Sequence, residues 1–221
     1  RAKGIIKYIN EIIKLINADP ETNSLLMGVF VTEYNVSYAE KIVAAADVSL
    51  QVSTAGLEAS GTSNMKFMMN GAVTLGTMDG ANIEIVEKAG EENNYIFGAR
   101  VDEIKKLRDG GYDPNTYLKE HADWNKVVHT LTDGTFSDDG NGYFEELYRS
   151  LTEGAIWHKP DHYFIFRDLE EYYQAILQIN HDYKNRIGFA KKQFNNTANS
   201  FYFSSDRSIR EYAKKIWSLS Y

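Results

Sequence analysis

The chain has no cysteine, which removes both a disulfide framework and thiolate chemistry and leaves a reducing cytoplasm as a compatible compartment. It has no apolar run near the roughly 18 residues needed to span a bilayer, so no membrane helix is expected. Arg1-Ala2-Lys3 leads into an amphipathic pattern with charged interruptions, unlike the unbroken apolar middle of a signal peptide. The first residue is not methionine, and the chain is expected to be a piece of a longer one. Positive charge is also short: the formal net charge is −7, without the basic footprint of a nucleic-acid binder. The Gly-rich turns near Gly110 and Gly140 lack the lysine and hydroxyl of a P-loop, and no G-x-G-x-x-G follows a strand, so nucleotide binding gains no support. Repeats and low-complexity segments are absent.

What is present is 221 residues, 43% hydrophobic and 25% charged, enough for one fair-sized core or two small ones. From His181 to Tyr221 eight Lys or Arg stand against three Asp or Glu, so this end carries about +5 and the remainder about −12. Solvated faces of terminal helices account for this most simply, with attraction of an anionic substrate or an acidic partner surface as the alternative. Ile5, Ile6, Tyr8, Ile9, Ile12, Ile13 and Ile16 recur at helical spacing and predict an amphipathic helix over about 2–17, ended by Asp19-Pro20. Leu25 to Glu33 is an apolar run without alternation, the pattern of a strand buried on both faces of a parallel sheet. A helix over about 37–45 and strands over 48–52, 72–76 and 95–97 follow, with a helix through Lys66 to about Asn70 and another capped by Asn82 and closed by Gly90. Met65, Met68 and Met69 read as core filler on the first of these two helices.

Strand–helix alternation through residue 98 implies a partial doubly wound parallel α/β sheet of four strands, and residues 99–221 read as a mainly helical annex. Its helices are expected at about 101–108, 114–131, 141–153, 168–197 with an interruption, and 206–218. Ligands of such sheets collect in loops beyond the carboxyl ends of the strands. The loops at Tyr34-Asn35, Ser53 to Ser63 and Thr77 to Gly80 should therefore converge. Gly61, Thr62 and Ser63 stand where a helix starts, so their N–H groups lack intrahelical partners and form a seat for a phosphate. Lys66 follows about one turn, or about 5.4 Å, later. A compact aromatic phosphate ester with an aldehyde, such as pyridoxal phosphate, would suit this spacing. His158 and His162 are four apart, but Pro160 between them argues against a helical metal site, and both read as surface or packing residues.

The run from Glu58 through Lys66 to Ile85, Glu-Ala-Ser-Gly-Thr-Ser-Asn-Met-Lys-Phe-Met-Met-Asn-Gly-Ala-Val-Thr-Leu-Gly-Thr-Met-Asp-Gly-Ala-Asn-Ile-Glu-Ile, closely resembles the cofactor segment of the α-glucan phosphorylases, which include glycogen, starch and maltodextrin phosphorylases. Flanking runs at Phe30–Lys41, Ala45–Gly56, Ala89–Gly98, Phe166–Tyr172 and Phe203–Ala213 extend the resemblance over nearly the whole chain. It implies that residues 1–221 form a carboxyl-terminal cofactor-domain portion of a protein with glycosyltransferase B architecture, without its amino-terminal domain. The implied reaction is phosphorolysis of the terminal α-1,4 bond of a glucan by inorganic phosphate, releasing glucose 1-phosphate with retained configuration. The implied catalytic residues are Lys66 and Glu58, with pyridoxal phosphate covalent on Lys66, its phosphate on Gly61, Thr62 and Ser63, and the ring of Tyr34 near it. Glu58, Ala59, Ser60 and Gly61 correspond to the turn that binds the glucosyl unit. Asn35 stands where the family carries arginine, so no contact is carried over to that side chain. A partly buried site is expected around Lys66, because the amine must lose its proton to bond an aldehyde. A homodimer is implied for the full-length protein, in the cytoplasm, with the present portion inactive alone. The competing reading is a non-catalytic module that binds pyridoxal phosphate or glucan. A sugar-nucleotide transferase of the same fold has no need of the lysine.

Overall fold

A computed structural model describes residues 1–219, all but the last two of the chain. In chain order the elements begin with α1 (Ala2–Ala18), α2 (Val36–Ala45), β1 (Val48–Gln51), α3 (Ser63–Met69), β2 (Val73–Gly76), α4 (Asn82–Ala89) and β3 (Tyr95–Ile96). Helices α5 (Val101–Gly110), α6 (Pro114–Glu120), α7 (Ala122–His129), α8 (Tyr143–Thr152), α9 (Ile165–Tyr183), α10 (Arg186–Asn199) and α11 (Ser205–Lys215) follow. The chain folds into two compact units, residues 1–34 with 110–167 and residues 35–109 with 168–221. No helix among the described residues is long and apolar enough to cross a membrane.

In the first unit, α1 packs on α8 where Gly4 lets the backbones approach. A Cβ added at Gly4 would lie 3.2 Å from Tyr143 Cβ. One turn on, the Tyr8 ring meets Phe136 and Phe144 edge-on at 5.4 and 5.5 Å, and its hydroxyl pairs with Thr130 Oγ1 at 2.7 Å. Leu131, Phe144 and Leu147 form the buried centre of this cluster. Asp19 ends α1 in an extended conformation, as the residue before a proline must. Asp161 accepts hydrogen bonds from Tyr112 Oη and from the Ile165 and Phe166 amides at 2.7–2.9 Å, fastening the start of α9; burial nevertheless pushes its pKa up.

The run Leu25–Glu33 is not a strand. Gly28 gives its N–H to the Asn17 carboxamide oxygen and takes the Asn17 amide proton on its C=O, at 3.0 and 2.8 Å, so α1 rather than a ladder satisfies that backbone. Leu25, Leu26, Met27 and Val29 are exposed. An apolar run only becomes a parallel strand where a neighbouring strand supplies the other half of every bond. The helix expected over 114–131 is also two helices, α6 and α7, because His121 leaves helical geometry (φ −118°, ψ 87°).

The second unit is built on a parallel sheet of three strands, one fewer than expected, in the order β1-β2-β3. Every residue of β2 is buried, as a central strand covered on both faces requires. One face carries Val73, Leu75, Tyr95 and Phe97 against Ile179 of α9 and Phe189 of α10. A second cluster joins Met68 of α3 to Ile85 and Ala89 of α4. Of the methionines expected in the core only Met68 is fully buried; Met69 is exposed. The interruption expected within 168–197 is the α9–α10 junction, where the Asn185 side chain caps α10 by accepting from Gly188 N.

Tyr95 Oη donates to Asp182 at 2.8 Å, and Gln178 donates to the other carboxylate oxygen. Burial alone would raise the Asp182 pKa, but hydrogen bonds from Tyr95, His181 and Gln178, helped by Lys192, outweigh it and hold the carboxyl below its usual range. Such a group stabilises the fold above its unfolded pKa of about 3.9, and that stabilisation is lost as the pH falls through the lower folded value. Tyr95→Phe is therefore expected to cost about 1 kcal/mol at neutral pH, with the gap from the parent closing in strong acid. Urea titrations at both pH values check this, and an unchanged gap would contradict it. Phe189→Ala should cost about 3–5 kcal/mol through the cavity it leaves; a urea midpoint close to the parent's would place the core elsewhere.

Candidate functional site

The parallel register aligns Gln51 with Gly76, so β1 and β2 end together and release their following loops side by side. Approach there is close: a Cβ added at Gly76 would lie 2.5 Å from Gln51 O. Thr77 Oγ1 donates to Ser53 O at 2.6 Å, starting the contact between the loops. Asp79 continues it. Its Oδ1 accepts from Gly56 N at 2.9 Å and its Oδ2 from Glu58 N at 2.8 Å, while Ala81 N donates to Ser60 O at 2.7 Å. Thr54 and Ala55 are buried at the root of the first loop, whereas Glu58, Ala59 and Ser60 are exposed at its tip.

Gly61 then turns the chain with φ +82°, a conformation that favours glycine. Thr62 takes the cap position, and helix α3 begins at Ser63. Among the described residues, the N–H groups of Gly61, Thr62 and Ser63 have no acceptor within the protein, and Thr62 makes no side-chain cap. Lys66 N donates to Thr62 O at 3.4 Å, which fixes the lysine one turn into the helix. Residues 59–67 contain no acidic side chain. The donor set of backbone amides, a Thr62 hydroxyl and a nearby amine suits a phosphate ester.

Asn64 and Met68, four apart, take the buried face of α3 and leave Lys66 on the exposed side. The partial burial expected around Lys66 is therefore not supplied by the described residues. Asn64 Nδ2 donates to Asn82 Oδ1 at 3.0 Å, and Asn82 Nδ2 donates to Thr77 O at 2.9 Å, with both asparagines buried. Asn82 is thus the first residue of α4 and a brace for the loop below it, not the helix cap expected from its type; Ala81 holds the cap position.

Of the expected residues, Glu58, Ala59, Ser60, Gly61, Thr62, Ser63 and Lys66 lie on one continuous exposed turn of the second unit. Tyr34 belongs to the first unit and is 63% exposed. Asn35 opens the second unit by capping α2, its Oδ1 accepting from Tyr38 N at 3.2 Å. Asp79, Asn64 and Asn82 were not singled out from sequence as site residues. Asp79 lies in Thr77–Gly80, one of the loops expected to converge, and it does meet the Ser53–Ser63 loop, but its own role was not legible. His158 serves packing: Arg1 can only donate to its Nε2 (2.7 Å), so Nδ1–H donates to Lys159 O (2.6 Å). Among the described residues no group of three His, Cys, Asp or Glu is arranged to hold a metal ion.

A family model described as "Carbohydrate phosphorylase" matches residues 1–219. The chain is 44% identical over 216 residues to the brain form of glycogen phosphorylase from Rattus norvegicus, covering 98% of this chain and 25% of that protein. It is 43% identical to the muscle form from Mus musculus over the same shares, and 41% identical over 223 residues to alpha-glucan phosphorylase 1 of Arabidopsis thaliana, covering 99% of this chain and 22% of that protein. The chain spans about a quarter of the length of these relatives. Matched over almost every residue by the family model and at this level of identity by the relatives, the chain belongs to the carbohydrate phosphorylase family.

Proposed function

We propose that this chain is the cofactor-bearing portion of an α-1,4-glucan phosphorylase, a glycosyltransferase that uses inorganic phosphate to release glucose 1-phosphate from the end of a glucan. The observation that carries this reading is the single turn from Glu58 to Lys66. Phosphate-seeking amides and an amine stand beside an exposed carboxylate there, on a chain 44% identical to a glycogen phosphorylase. The architecture proposed for the whole protein is glycosyltransferase B, with the parallel sheet as part of its carboxyl-terminal domain and an amino-terminal domain closing the site. The full-length protein is proposed to be a homodimer acting in the cytoplasm.

The residues present fit pyridoxal phosphate. Gly61, Thr62 and Ser63 would hold its phosphate with backbone N–H groups and the Thr62 hydroxyl, and Lys66 would tether it covalently. When bound, the cofactor supplies a phosphate group able to take part in proton transfer beside the substrate phosphate. This chain's own part is to hold that charge in place with preformed donors. Glu58, Ala59, Ser60 and Gly61 would bind the glucosyl hydroxyls, with Glu58 accepting hydrogen bonds. Both half-sites are exposed, so the 221-residue portion alone is expected to lack turnover. A module that binds cofactor or glucan without catalysis would show the same exposure. A phosphorolysis assay on the full-length protein with phosphate and maltodextrin separates the two.

In that protein Lys66→Ala should abolish phosphorolysis; normal turnover without added cofactor would overturn the reading. Glu58→Gln should reduce kcat/KM for maltodextrin by about tenfold or more, as expected for loss of a charged hydrogen-bond acceptor. An unchanged value would remove Glu58 from the sugar site.

A further inference from the structure

We propose that Asp79 is a positioning residue for sugar binding, and that the loop from Thr77 to Asn82 sets the two halves of the site separately. In this scheme Asp79 and Gly80 shape the Glu58–Gly61 turn, while Asn82 braces the start of α3. The inference rests on the assignment of Glu58–Gly61 to the glucosyl unit and Gly61–Lys66 to the cofactor.

Asp79 is 6% exposed, and a carboxylate so far from water requires donors. Among the described residues no cation is ion-paired with it. Its donors are instead Gly56 N and Glu58 N, one on each oxygen, so both ends of the bend that presents Glu58 are held by one side chain. A plain turn has no need of a buried charge for this. Gly80 presses on the same bend: with φ +51°, an added Cβ would lie 2.5 Å from Ser60 O and 3.0 Å from Glu58 Cγ. Ala81 N completes the contact through Ser60 O. The loop therefore touches the sugar turn at its carboxylate-bearing residue and again two residues later.

The other half is held through different side chains, although the backbone is shared: Thr77 O accepts from both Asp79 N and Asn82 Nδ2, and Asn82 N donates to Asp79 O at 3.1 Å. Asn82 Nδ2 takes its position from Thr77 O, and its Oδ1 receives Asn64 Nδ2, two residues before Lys66. Asn64 Oδ1 in turn accepts from Met65 N at 3.0 Å, within the first turn of α3. Neither chain of bonds uses a side chain of the other. A side-chain change that leaves the shared backbone in place should therefore act on one half alone.

The test uses the full-length protein loaded with pyridoxal phosphate, with three readouts: bound pyridoxal content, KM for maltooligosaccharide and KM for phosphate. Asp79→Asn keeps the shape but sets an NH2 group against one of the two amides. It is expected to raise the maltooligosaccharide KM by about tenfold, the effect of losing one charge-assisted hydrogen bond, with pyridoxal content and phosphate KM unchanged. Gly80→Ala should move the same constant in the same direction, and serves if Asp79→Asn does not fold. Asn82→Ala should instead lower pyridoxal retention and leave the maltooligosaccharide KM of the loaded fraction near the parent's. The inference is overturned if Asp79→Asn and Gly80→Ala lose pyridoxal as readily as Asn82→Ala, or leave the sugar KM unmoved in an active parent. A parent with no phosphorolysis when loaded with pyridoxal phosphate overturns the underlying assignment as well.

Discussion

The hydrogen bonds from Gly56 and Glu58 to the Asp79 carboxylate tie the loop after β1 to the loop after β2, and the form of the candidate site follows from that tie. Parallel pairing brings the two strand ends level, and the closeness of Gly76 to Gln51 leaves no space between them for a side chain. The loops must then share their polar groups. Asp79, Thr77, Asn82 and Asn64 do so from below, buried and mutually bonded, while Glu58 to Ser63 are left facing outward. A satisfied buried polar network of this kind is rigid, because each broken bond leaves a desolvated group behind. Rigidity below is what allows an open turn above to keep its shape.

The same division appears along α3. With seven residues the helix is too short to owe its stability to its own hydrogen bonds, and its place comes from Met68 in the apolar cluster and Asn64 in the polar one. Lys66 is carried on the opposite side. Its exposure, with that of Glu58, leaves both side chains open at the surface, as the proposed function requires of groups that would meet cofactor and sugar. The short α3 is also consistent with Gly71, which follows it in a left-handed conformation (φ +89°).

Much of this was legible in the residues. The α1 stripe, the breaks at Asp19-Pro20 and Gly90, and the strand–helix alternation from Val48 onward all rest on local periodicity, and the elements lie within one or two residues of expectation. The Glu58–Lys66 turn was legible because small residues before a helix have one strong backbone consequence, free N–H groups. Leu25–Glu33 failed as a strand because pairing belongs to the neighbour, and the run itself carries no sign of whether one is present. His121 carries no local breaker that would announce the division of α6 from α7. Asp79 and Asn82 were hidden for a related reason: an Asp-Gly after a strand and an Asn before a helix are ordinary turn and cap residues. Their actual partners lie about twenty positions away in sequence, at Gly56, Glu58 and Asn64.

The most direct test of the account is borohydride reduction of the full-length protein loaded with pyridoxal phosphate, followed by peptide mass mapping. The expected result is a phosphopyridoxyl group on the peptide that contains Lys66 and on no other lysine. An unmodified Lys66, or a modification at a different lysine, would contradict it.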